Sequence, residues 1–129
     1  MKEIIDIFKD VVTKKYAMFT GRAGRKEFWY YMLVQFLLIC LIGILYAIFG
    51  EFFYILMNLV SLALLLPSLA VGVRRLHDIG KDWYWILIAL IPIIGGIWLI
   101  VLYAKAGMPG SNQFGAAPVD NNSNQMQQG

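Results

Sequence analysis

Apolar positions along the chain form three long blocks, Phe28–Phe49, Phe52–Val73 and Trp83–Ala104, with polar residues crowded before and between them. Each block has 22 residues. As helix, that number extends roughly 33 Å at 1.5 Å per residue, which matches a hydrocarbon core of about 30 Å. Lipid offers a backbone no hydrogen-bond partner, so the blocks predict helices. Only Gly50 and Glu51 separate the first two blocks, which requires a tight antiparallel hairpin. Aromatic residues gather near the block ends, among them Trp29, Tyr30, Phe52, Trp83 and Tyr103, as they do in interfacial belts.

Residues 3–15 have a different rhythm. Ile4, Ile5, Phe8, Val11 and Val12 share one face of a helix, with lysines elsewhere. Such a helix can lie at headgroup level with its apolar face down, or it can pack on its own bundle. Gly21 and Gly24 break the loop that follows. The third block carries Pro92 and Gly95-Gly96 at its middle. Proline removes a helix hydrogen bond and glycine loosens the chain. A single kinked span is the preferred expectation, and a re-entrant pair that returns Lys105 to the first side is the alternative. The resulting fold class is all-α: an integral membrane helical bundle of about three transmembrane helices plus an N-terminal amphipathic interfacial helix. The organisation is an amphipathic helix (1–15), a membrane domain (16–118) and a disordered, Asn/Gln-rich tail (119–129).

Composition supports the membrane reading. The chain is 60% hydrophobic and 15% charged, against roughly 45–50% and about 25% in soluble domains. A soluble domain of this size buries only around two-thirds of its surface, so lipid must cover the excess. A net charge of +3 does not suggest a nucleic-acid partner. The single cysteine, Cys40, excludes an intramolecular disulfide and a multi-cysteine metal site. No cofactor, metal or catalytic motif of the P-loop, HExxH or CxxC kind occurs. The mixed charges of residues 1–15 do not form a cleavable signal, so the first block acts as an uncleaved insertion signal. Seven Lys or Arg precede that block and three lie in the 74–82 connection. The hairpin tip has none, and Lys105 alone follows the third block. This bias sets the N-terminus and residues 74–82 in the cytoplasm. A full third span would then send the C-terminus outward.

Within the spans, depth matching along antiparallel helices predicts two polar rungs, Gln35 with Ser68 and Tyr46 with Asn58. The small-residue pairs Gly43/Ala47 and Ser68/Gly72 allow close helix approach, within the chain or in a homodimer. No acid, base or histidine lies inside a predicted span, which argues against ion-coupled transport by one chain.

The chemistry concentrates in two stretches at one face. Gly21–Trp29 reads GRAGRKEFW, and Arg74–Trp83 reads RRLHDIGKDW. Guanidinium forks bind phosphate or carboxylate through paired hydrogen bonds. Arg22, Arg25, Arg74, Arg75, His77 and Asp78 are therefore the candidate site for a phosphate-bearing lipid headgroup. Glu27, Asp78 and Asp82 are candidates for structural ion pairs with the cations. Anionic phospholipid is the expected partner, with a homo-oligomer or another membrane protein also open. The preferred function is non-enzymatic binding. Competing readings are an interface enzyme that uses His77 and Asp78 on a phosphorylated lipid, and a subunit of a small oligomeric channel or transporter.

These two motifs, Ile91-Pro92 with its following glycines, and Gly107 to Pro118 as a closing motif together resemble a widespread bacterial family of small uncharacterised inner-membrane proteins. The resemblance covers roughly Tyr16 to Pro118. It implies an inner-membrane location and brings no established activity. One departure stands out: Asp82 directly precedes Trp83 where the family often has Ser-Gly, which adds an acid to the cluster.

Overall fold

A computed structural model describes residues 2–118, and the expected disordered tail lies outside the described residues. Four α-helices and one 3₁₀ helix follow in order: α1 (Lys2–Val12), α2 (Arg25–Phe49), α3 (Glu51–Asp78), a 3₁₀ helix (Trp83–Leu90) and α4 (Ile94–Ala104). The closing loop adds one antiparallel bridge between Asn112 and Gly115.

The hairpin turns on one residue. Gly50 sits at φ 94°, ψ −153°, caps α2 by donating its N–H to the Tyr46 carbonyl at 2.8 Å, and starts α3. A positive φ of that kind suits glycine, which has no Cβ to clash. α2 and α3 are each long and apolar enough to cross a membrane. α3 continues past Val73 to Asp78, so Arg74, Arg75, His77 and Asp78 are helical rather than part of a loop.

Pro67 lies inside α3. It has no N–H, so the carbonyl of Ala63, four residues back, loses its helical donor. The Tyr16 hydroxyl donates to that carbonyl at 2.6 Å and pins the α1–α2 loop against α3. One turn on, Ser68 Oγ lies 2.6 Å from Gln35 Oε1 and 2.9 Å from the Tyr31 hydroxyl. The Gln35–Ser68 rung therefore forms, with Tyr31 as an added member. The Tyr46–Asn58 rung does not form: Asn58 donates to the Tyr54 carbonyl at 3.0 Å, while the Tyr46 ring rests on Tyr54. A carbonyl one turn away satisfied the amide before a cross-helix partner could.

The third block departs from the expected kinked span. A Cβ built on Gly95 would lie 1.6 Å from the Ile88 carbonyl oxygen. In a straight helix, residues seven apart are roughly 10 Å apart. The chain therefore folds back between them, through Pro92 and Ile93, whose φ is 65°. Both ends of the block then meet the C-terminal end of α3. Asp82 stands only four residues after Asp78, and the Met108 amide donates to the Asp78 carbonyl at 2.8 Å. The third block is thus folded back on itself rather than run as one continuous helix.

α1 packs on the bundle rather than presenting its whole apolar face to lipid. Val11 is fully buried, and Phe8 stacks on Tyr31 with centroids 5.4 Å apart. Lys26–Glu3 and Lys15–Glu27 ion pairs fasten it to the start of α2. The buried core unites Val11, Phe28, Tyr31, Val71, Leu76, Leu99, Leu102 and Tyr103, and it lies at the charged end. The small-residue pairs divide. Gly72 lets the Tyr103 hydroxyl approach, whereas Gly43 faces open space.

Candidate functional site

Residues one helical turn apart share a face. Arg75 and Asp78 on the last turns of α3 do so, and Arg75 Nη1 donates to Asp78 Oδ2 at 2.7 Å. From the loop before α2, Arg22 Nε donates to the other carboxylate oxygen at 2.9 Å. One carboxylate thus sits between two guanidiniums, with all three side chains fully buried.

The remaining guanidinium hydrogens go to backbone carbonyls. Arg75 donates to Tyr103 O at 2.9 Å and also to Lys105 O. These are carbonyls at the C-terminal end of α4, which have no partner within their own helix. A cation there also meets the negative end of the helix dipole. Arg22 reaches the closing loop through Gly110 O at 2.6 Å and Met108 O. Arg74 turns the other way, to Met18 O at 3.0 Å and to Glu27. Its Nη2 is buried with no hydrogen-bond partner among the described residues.

His77 is held separately. Its Nδ1 lies 2.9 Å from the Gly21 carbonyl, and its ring stacks on Phe114 at 4.0 Å. A carbonyl only accepts, so Nδ1 carries the proton and, in the neutral ring, Nε2 is the acceptor. Asn112 donates to the His77 carbonyl at 2.9 Å and accepts from the Phe114 amide at 2.8 Å, so it shapes the loop that carries Phe114.

The structure therefore gathers Arg22, Arg74, Arg75, His77 and Asp78 at one end, buried, while Arg25 stands exposed at the start of α2. Glu27 pairs with Arg74 and Lys15. Asp82 instead caps the 3₁₀ helix, accepting from the Trp83 amide at 2.7 Å. Among the described residues no group of three His, Cys, Asp or Glu side chains gathers to hold a metal ion. Sequence reasoning missed Tyr16, Asn112 and Phe114. Their only signal was the closing motif for the last two, and Pro67 for the first.

Comparisons with known proteins agree with the architecture. The profile of a protein family of unknown function, DUF805, matches residues 16–116. Inner membrane protein YhaI of Escherichia coli (strain K12) is 38% identical over 107 residues, covering 83% of this chain and 91% of that protein. Inner membrane protein YhaH of the same strain is 40% identical over 111 residues, covering 83% of this chain and 92% of its own length. No solved structure matches the chain.

Proposed function

Because the chain belongs to the DUF805 family of unknown function, we propose that it is a non-catalytic inner-membrane protein whose charged end rests on the cytoplasmic leaflet and binds anionic phospholipid. One observation carries this reading. Arg75 ties the last carbonyls of α4 to the end of α3, so the third block returns. Lys105 then joins the end that already holds Arg22, Arg25, Lys26, Arg74, Arg75 and Lys81, while the Gly50 end has no Lys or Arg. Under the positive-inside rule the charged end is cytoplasmic. α2 and α3 cross the membrane, and the 3₁₀ helix with α4 dips in and returns.

The buried arginines are committed within the chain, so lipid contact falls to the outer cations. Lys2, Lys9, Lys14, Arg25, Lys26 and Lys105 are exposed. Each adds about 1 kcal/mol of attraction to an anionic surface. A proton-transfer role for His77 and Asp78 has less support, because the Asp78 carboxylate is held by two guanidiniums and the His77 Nδ1 proton goes to the Gly21 carbonyl.

Two measurements test the proposal. Reporters fused after Pro118 should report a cytoplasmic C-terminal side, and a Glu51→Cys label in a Cys40→Ser background should react from the periplasm. Periplasmic labelling at Lys81→Cys contradicts the orientation. Charge reversal at Lys9, Lys14 and Lys26 should reduce co-purifying anionic lipid, and unchanged retention contradicts the lipid role.

A further inference from the structure

Along α2, Phe28, Met32, Gln35, Phe36 and Ile39 recur at i, i+4, i+7, i+8 and i+11, so they share one face. That face and α4, through Ile100 and Tyr103, bound a crevice of about 490 Å³, within the roughly 300–1,000 Å³ of small-molecule sites. Gln35 lies seven residues past Phe28, the first residue of the apolar block, which is roughly 10 Å further along the helix. With α2 spanning the bilayer, Gln35 stands at hydrocarbon depth, below the headgroups.

The Gln35 amide is only half used. Its Oε1 accepts from the Ser68 hydroxyl on α3 at 2.6 Å. Nε2 carries two hydrogens, and neither meets an acceptor among the described residues. Oε1 and Nε2 diverge from one carbon, so with Oε1 drawn to α3 the NH2 group turns toward the crevice that Gln35 lines. A donor left bare in hydrocarbon is costly, so the crevice calls for an acceptor. No Lys, Arg, Asp or Glu lines it, so nothing there selects a charged ligand. Phe28, Trp29, Phe36 and Tyr103 supply aromatic walls, and flat surfaces of this kind favour a planar ring. Trp29 and Phe36 are 38% and 65% exposed, which leaves the crevice open to lipid.

We propose that the α2–α4 crevice binds a neutral quinone with a hydrocarbon tail, one ring carbonyl accepting from Gln35 Nε2. The ring lies among the aromatic walls, and the tail leaves past Phe36 and Ile39 into lipid. Depth sets this ligand apart from a phospholipid, whose ester carbonyls sit at the interface, above Gln35. The site shares no residue with the outer cations that hold anionic lipid, and it rests on the reading above only in having α2 span the bilayer.

The test uses the full chain in detergent micelles with equimolar decylubiquinone and decylbenzene, read by native mass spectrometry. The second compound has a ring and a tail but no carbonyl. One decylubiquinone per chain should be retained about fivefold over decylbenzene, the scale of one neutral hydrogen bond. Gln35→Leu leaves the Tyr31–Ser68 bond in place, so it should fold and lose the preference. Ile100→Trp, at an exposed position on α4, should lower retention of both compounds by filling the crevice. Four results overturn the proposal: equal retention of the two compounds by the parent chain, an undiminished preference in Gln35→Leu, unchanged retention in Ile100→Trp, or displacement of the quinone by equimolar diester phosphatidylcholine. Charge reversal at Lys9, Lys14 and Lys26 should leave quinone retention unchanged, so the quinone and anionic-lipid readings fail separately.

Discussion

The charged end and the Gly50 end of this molecule are built from similar apolar residues but are held by different means. At the charged end Val11, Tyr31, Val71 and Leu76 have no exposed surface, and they pack beside a buried carboxylate between two guanidiniums. At the other end Ile48, Phe49 and Phe52 are 66%, 67% and 68% exposed, which leaves lipid to cover them. Lipid is as apolar as a leucine side chain, so burial alone gives helices little reason to associate in a membrane. The contrast teaches that the ends of the third block are held by polar bonds at the charged end, while close backbone contact between Ile88 and Gly95 holds its turn.

Substitutions at the two ends should therefore differ sharply, as detergent-solubilised variants unfolded by SDS titration can show. Asp78→Asn should be the most damaging. It leaves two buried guanidiniums without their carboxylate, at a cost of about 3–5 kcal/mol. Gly95→Ala should follow at about 1–3 kcal/mol, because the added methyl meets the Ile88 carbonyl and opens the returning pair. Tyr16→Phe removes the donor from the carbonyl that Pro67 orphans and should cost about 1 kcal/mol. Gln35→Leu should cost about 0.6 kcal/mol, the average for a polar bond between membrane helices. Phe52→Ala at the tip should change stability by no more than about 0.5 kcal/mol. A tip substitution that destabilised the protein as much as Asp78→Asn would erase the proposed distinction.

The sequence made the helical bundle legible through block length and charge bias, because both are local sums along the chain. The Gln35–Ser68 rung was legible too, since the one-residue turn at Gly50 fixes how the two helices match in depth. The Tyr46–Asn58 rung was misjudged because a helical amide can bond its own preceding turn, a competitor that depth matching ignores. The return of the third block was visible only as Pro92 and the Gly95-Gly96 pair. Those residues also suit a kinked span, and the contact that decides between the two forms joins Arg75 to carbonyls 28 and 30 residues away. The arginines read as a phosphate site because their residue types suit phosphate. Besides the Asp78 and Glu27 carboxylates, their acceptors include backbone carbonyls of Tyr103, Lys105, Met108 and Gly110, which no residue type announces.

The central claim is that both ends of the third apolar block lie at the same end of the bundle. Spin labels at Lys81→Cys and Lys105→Cys, in a Cys40→Ser background reconstituted in nanodiscs, measure this as a distance. A returning pair keeps the labels within about 20 Å of each other, whereas an extended helix separates those positions by roughly 35 Å. The account predicts the short distance, and a single population near the long one contradicts it.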